Sequence, residues 1–311
     1  AYLIDNGYDG ILLNKANNFA MATGGKRNYV YTYGDLGASG LFITKDRNVF
    51  FVGSTIEEPR VMDEELAGLS CGAKSYLWFE ETNAQRIARE FSGSLVSDDG
   101  SLGKNVDADL ARLRALLTEA ELEKYRRLGA LAAEAMTAVC QAVQPGMLET
   151  DIAALIVAEG QKRRCQVPIA LVAADERIEQ FRHPLPTQAP LLGNSLTERG
   201  VRNYVEVIGG FMREGLVVSI TRFAAATPLP ASLLDRFDRI CAVDAMMQLN
   251  TRPGRTLGDI LDISKDSYKT VDFSEKEWHN HHQGGIAGYA GRACKAVPGC
   301  TFPVLDEYWP G

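Results

Sequence analysis

All four histidines of this 311-residue chain fall in two places: His183, and the run Trp278-His279-Asn280-His281-His282-Gln283-Gly284-Gly285. Imidazole is the side chain whose ordinary pKa lies closest to neutral pH, so paired histidines are the first candidates for general acid/base work. Residues 278–289 read as a strand, in which His279 and His281 face one way and His282 the other. A pocket then takes at most two of the cluster, and His183 must arrive from elsewhere in the chain. His183, His281 and His282 are the candidate catalytic residues, whereas His279 reads as an ordinary surface or core histidine.

The stretch Gln283-Gly284-Gly285-Ile286-Ala287-Gly288-Tyr289 puts three glycines into this strand-like run. Glycine in a strand marks close approach by another backbone or by a ligand. The Gly-x-Gly-x-x-Gly order is absent, so a nucleotide fingerprint is not indicated. Arg292 follows, and a planar guanidinium there can hold a substrate carboxylate through two hydrogen bonds; a solvated turn residue is the competing reading. Arg222 is the second candidate clamp. Residues 204–223 read as a hairpin with one carboxylate, Glu206, beside Ser219 and Thr221. That is too few oxygen ligands for a two-metal site, so neither a metal nor any other cofactor is expected. The expected substrate-binding set is Arg292, Arg222, Glu206, Ser219 and Gly285.

The elements that must position these residues form a pattern that recurs. Thr118-Glu119-Ala120-Glu121 is a capping box, and apolar residues then repeat at helical spacing from Leu122 to Val143. That helix stops at Pro145-Gly146, and a second helix is expected from Thr150 to about Lys162. Pro253-Gly254 repeats the arrangement 108 residues later, again between a helix (residues 231–249) and a second one, and again with Asp-Ile four residues on. Strands follow the first copy at residues 169–172, 204–208 and 216–223, the last two joined across residues 209–215; residues 278–289 follow the second. The chain stops before a second hairpin forms, and it begins at Ala1, so both ends are expected to be incomplete. Ahead of the first helix, residues 10–13, a hairpin of residues 39–44 and 49–52, and a helix over 84–91 suggest a small α/β domain. Glu57-Glu58-Pro59-Arg60 within it reads as a solvated strand end.

Composition narrows the partners. With 46% hydrophobic and 23% charged residues the chain should fold, and its net charge of −7 without a dense Lys/Arg run argues against nucleic acid. Six scattered cysteines without a Cys-x-x-Cys pair, no membrane-length apolar run and no signal-peptide pattern point to the reducing cytosol.

Beyond these readings, the chain resembles the creatinase/aminopeptidase P family along nearly its whole length. The resemblance rests on Asn17-Asn18-Phe19 with Thr23-Gly24-Gly25, on Gln144-Pro145-Gly146 and Ala174-Asp175-Glu176-Arg177, on Arg182-His183-Pro184-Leu185-Pro186-Thr187, on Thr221-Arg222, and on His281-His282-Gln283-Gly284-Gly285. It implies an α+β chain: an N-terminal α/β domain (1–108) and a pita-bread domain (109–311) with pseudo-two-fold repeats at about 118–224 and 231–311. Metallopeptidases of this fold hold two metals with two Asp, one His and two Glu. The resemblance puts those positions on Ile208, Ser219, Gly285 and Ala293, with the last beyond Gly311. It matches His183 and His281 to histidines that touch substrate or move protons. Creatinase cleaves a C–N bond on this fold without metal, with a histidine base. The expected function is therefore a metal-independent hydrolase or lyase acting on a small amino-acid-like or amidine-like molecule. The alternatives are a catalytically inactive binding protein and an Xaa-Pro aminopeptidase-like metallopeptidase. A homodimer is expected from the same family.

Overall fold

The computed structural model describes residues 1–189 and 197–304. Residues 1–115, with 213–216 and 288–290, form one compact unit, and the other described residues form a second.

The first unit runs α1 (Tyr2–Asp5), β1 (Gly10–Lys15), α2 (Ala16–Thr23), β2 (Leu36–Thr44), β3 (Val49–Ser54), α3 (Glu58–Arg60), β4 (Gly72–Tyr76), α4 (Asn83–Glu90), β5 (Leu95–Ser97), β6 (Lys104–Asn105) and α5 (Asp107–Ala115). Its strands form one mixed sheet in the order β4-β3-β2-β1-β5-β6. The period-two alternation of the strands divides their apolar residues between two faces. Ile11, Leu13, Leu41 and Phe51 pack with Phe19 of α2 and Leu110 of α5. Leu12, Phe42 and Val52 pack with Ile87 of α4. Residues 57–60 are not a strand end. They open into a helical turn, and the buried Glu65 beyond it pairs with Arg27 and Arg60.

The rest of the chain runs α6 (Glu119–Ala142), α7 (Glu149–Lys162), β7 (Gln166–Ala174), α8 (Arg177–Gln180), β8 (Tyr204–Arg213), β9 (Leu216–Ala225), α9 (Ala231–Asn250), α10 (Leu257–Thr270), β10 (Gln283–Ile286) and β11 (Cys294–Ala296). The Thr118 box closes as its sequence requires: the Glu121 amide donates to Thr118 Oγ1 at 3.3 Å, and the Thr118 amide donates to Glu121 Oε2 at 2.8 Å. α6 packs on α7, and α7 on β7. β7, β8 and β9 form a three-stranded sheet. A Cβ at Gly209 would lie 2.5 Å from the Phe211 ring and 3.1 Å from Met136 Sδ, so the odd-numbered residues of β8 look onto α6. Val205, Val207 and Phe211 are fully buried there, and Glu206 and Ile208 point to the opposite face.

The hairpin is longer than its sequence suggests. β8 continues through Gly209 and Gly210, and the reversal is confined to Glu214 and Gly215, whose φ angles of 51° and 77° are those of a primed turn.

The second half repeats the helix–turn–helix plan. Gly146 and Gly254 turn at φ 91° and 85°, and α10 carries its own capping box between Thr256 and Asp259. Leu148 bridges Gly200, and Thr256 bridges Pro303 in the same antiparallel sense. Residues 278–289 are a continuous strand in neither part. Glu277–Asn280 forms a 3-10 turn, and β10 spans only four residues. Gly284, Gly285 and Gly288 adopt φ angles of 53°, 125° and 152°, which break the extended ladder and shift its register.

Candidate active site

His183 and His281 come from different halves of the second unit, and their Nε2 atoms meet at 3.1 Å. Each is held by its own set of anchors. On the His183 side, the Val172 amide of β7 donates to the Pro184 carbonyl at 3.1 Å. Arg177 Nη2 donates to the Leu185 carbonyl at 3.0 Å. Glu149, fully buried at the start of α7, accepts from the Ala174 and Thr187 amides at 2.8 and 2.9 Å, from the Thr187 hydroxyl at 2.9 Å, and from Arg177. One carboxylate thus fixes the end of β7 and both sides of the segment that carries His183. Glu149 opens a helix, so it also meets the favourable end of the helix dipole.

On the His281 side the anchor is Gln283. Its Nε2 donates to the His281 carbonyl at 2.8 Å and to the Trp278 carbonyl at 3.3 Å, and its Oε1 accepts from the Tyr268 hydroxyl of α10 at 3.0 Å. Arg182, the residue before His183, forms an ion pair with Glu277 in the 3-10 turn, and Asn280 donates to the same carboxylate.

The hydrogen bonds fix a tautomer. His281 Nδ1 lies 2.8 Å from the His282 carbonyl, which only accepts, so Nδ1 carries the hydrogen. In the neutral pair His281 Nε2 is then the acceptor, and His183 Nε2–H donates to it. One added proton converts this into an imidazolium–imidazole pair that shares a hydrogen across the same 3.1 Å gap.

The expected opposition of His281 and His282 does not occur. Their ring centroids lie 4.0 Å apart, at an interplanar angle of 45°. His282 Nδ1 is buried without a hydrogen-bond partner, and its pKa is lowered, first by burial and then by His281, Arg292, Lys295 and His183. His279 is exposed, with its ring against Trp278 at 4.1 Å.

Arg292 joins this group: it is exposed, acts electrostatically on His282 and on Tyr125, and would crowd a Cβ at Gly285 through its Cδ at 3.1 Å. Gly285 itself is required, since a Cβ there would sit 2.1 Å from the Cys294 carbonyl oxygen. Glu206 lies on the sheet face away from α6, where burial raises its pKa and Arg182 opposes the rise. Ser219 is exposed on β9. Arg222 is not brought to the histidines. It alternates to the α6 side, acts on Cys140 there, and donates to the Thr221 carbonyl at 2.8 Å. The anchoring roles of Glu149, Gln283, Glu277 and Tyr268 escaped the sequence reading. Their types and spacing carry no motif, and only the fold shows what they hold.

The residues at the resembled metal positions do not fit a dinuclear centre. Ile208, Gly285 and Ala293 offer no side-chain donor, and Ser219 offers a neutral hydroxyl. Among the described residues no three His, Cys, Asp or Glu side chains group as metal ligands would. No helix among the described residues is long and apolar enough to cross a membrane.

No protein-family model matches the sequence, and no curated protein matches it. Solved structures do match in fold. A dipeptidase from Pyrococcus horikoshii OT3 superposes with a TM-score of 0.74 at 16% identity, over 97% of this chain and 84% of its own. Prolidase from Pyrococcus furiosus gives 0.71 at 13% identity, over 97% and 87%. X-Pro aminopeptidase from Thermotoga maritima MSB8 gives 0.68 at 13% identity, over 97% and 86%. The chain has the mixed α/β pita-bread fold of these peptidases.

Proposed function

We propose that this pita-bread chain is a metal-independent hydrolase or lyase that breaks a C–N bond in a small amino-acid-like or amidine-like substrate, with His183 and His281 as the acid/base pair. The observation that carries the reading is the 3.1 Å approach of the two Nε2 atoms, with the backbone around each histidine held by its own hydrogen bonds, beside resembled metal positions that carry no side-chain carboxylate or imidazole.

The pair takes up one proton and delivers it to a leaving nitrogen, or takes one from an attacking water. Each role needs an imidazole near neutral pKa and a fixed tautomer, and the His282 carbonyl supplies the second. Arg292 offers a guanidinium near His282 for a substrate carboxylate. Glu206, whose pKa is raised by burial, keeps its proton to higher pH than an ordinary carboxyl.

The test is turnover of a panel of small amidines and Xaa-Pro dipeptides, together with metal content of protein purified without chelator. Activity that survives EDTA and falls by roughly 10²–10⁴ in His183→Ala supports the proposal. Two bound metals per chain with Mn²⁺-dependent dipeptide cleavage would overturn it in favour of a metallopeptidase. Absence of turnover across the panel, with ligand binding unchanged in His183→Ala, would overturn it in favour of a binding protein.

A further inference from the structure

Cys294 and Cys300 lie in the same small core, against Leu257, Leu261 and Ala296. Cys294 opens β11, and Cys300 follows the turn Val297-Pro298-Gly299-Cys300, closed by the Cys300 amide donating to the Val297 carbonyl at 2.9 Å. Gly299 takes φ 74° at the third position of that turn, after proline at the second, as a type II turn requires. The turn folds Cys300 back, and its carbonyl accepts from the Gly258 amide of α10 at 3.0 Å. Cys294 Sγ donates to the Lys295 carbonyl at 3.8 Å, and the Cys300 side chain acts on the same thiol. Both residues are partly exposed. The other four cysteines lie far from this pair in sequence, on other elements.

We propose that Cys294 and Cys300 form a reversible dithiol–disulfide site whose oxidation state is felt at the histidine pair. The oxidant is a small-molecule disulfide of the glutathione class. One cysteine thiolate attacks a sulfur of that disulfide, forms a mixed disulfide, and releases one small-molecule thiolate, which takes up a proton. The second cysteine loses its proton to solvent and attacks the protein-bound sulfur, expelling the second small-molecule thiol. Two protein thiols become one disulfide, and one small-molecule disulfide becomes two thiols.

The connection to the histidines is one strand long. Cys294 pairs with Ile286, Lys295 with Gly285, and Ala296 with Gln283 across β10–β11. The Cys294 carbonyl fills the space in front of Gly285, and Gln283 in turn holds the His281 carbonyl. A shift of β11 on closing the sulfur–sulfur bond therefore passes to the His281 and His282 backbone. Cys294 starts from a raised pKa, chiefly through burial and then through Cys300, so closure speeds up as pH rises above neutrality.

The experiment equilibrates the intact chain with buffers of graded oxidised-to-reduced glutathione, traps free thiols by alkylation and maps them by mass spectrometry. In parallel, the histidine ring signals are followed by NMR. The expected result is an internal Cys294–Cys300 link in the unchanged protein. Cys294→Ser and Cys300→Ser should each carry a glutathione adduct on the remaining thiol instead. The His281 and His282 signals should shift on oxidation in the unchanged protein only. An adduct without an internal link, or no reaction at either thiol, would overturn the site. A link that leaves every histidine signal in place would overturn the coupling. The readouts need no substrate, so they stand apart from the proposed catalytic reading.

Discussion

The two halves of the second unit share a local plan and differ in what that plan buries. α6 buries Leu128, Ala132, Ala135, Met136 and Val139. α9, the matching helix ahead of the second Pro-Gly turn, buries Val243 and leaves Leu234, Phe237, Ile240, Met246 and Leu249 exposed. The difference lies in the sheet. α6 backs a face lined by Val205, Val207 and Phe211, whereas the described strands of the second half are short and pack on α10. The helix starts differ as well. Glu149 heads α7 as a buried carboxylate hub, and Leu257, 108 residues on, heads α10 as a core side chain. Helical periodicity and a capped turn produce a helix, but only an opposing surface gives its apolar stripe something to bury.

That contrast can be broken at Glu149 first. Glu149→Leu, which imposes the second half's residue on the first, strands Arg177 and three other hydrogen-bond donors. A loss of about 3–5 kcal/mol in urea unfolding is expected. A loss below about 1 kcal/mol would show that the two helix starts are interchangeable. Met136→Ala on α6 should cost about 2–5 kcal/mol in the same assay, and Met246→Ala on α9 less than about 0.5 kcal/mol. Equal costs would mean that α9 is buried in solution.

Gly285→Ala brings a Cβ within 2.1 Å of the Cys294 carbonyl and forces a strained φ. It should weaken the β10–β11 pair, read as faster amide exchange at Ile286 and Cys294, with smaller changes in β7–β9. The smallest effect is electrostatic. The folded pKa of His282 is lowered, so its neutral form favours folding. That contribution is present above the unfolded value of about 6.5 and is lost as pH falls through the folded pKa. His282→Gln should flatten the stability loss below about pH 6.5, and an unchanged acid slope would contradict the desolvation of its Nδ1.

Much of this was legible in the residues. The Thr118 box, the two Pro-Gly turns and the alternation of β1–β3 are local signals, and each element formed where they placed it. The pairing of His183 with His281 was legible as well, because two histidine sites in one chain are few enough to bring together. The continuous strand over 278–289 was misread, since three glycines permit a strand without enforcing one. Arg222 falls on the α6 side because the side of the sheet depends on register.

The sequence alone determined which residues were available. It supplies four histidines in two places, glycines where the backbone must turn left-handed, and no carboxylates at Ile208, Ser219 or Ala293. Short-range sterics and capping hydrogen bonds fix such features within a few residues. Only the tertiary structure decided that Glu149 and Gln283 fix the backbone around the two histidines, that the His282 ring lies beside that of His281, and that Cys294 and Cys300 pack on one small core. Those contacts join residues from 1 to 38 positions apart. The larger separations depend on how strands and helices pack, which no local signal records.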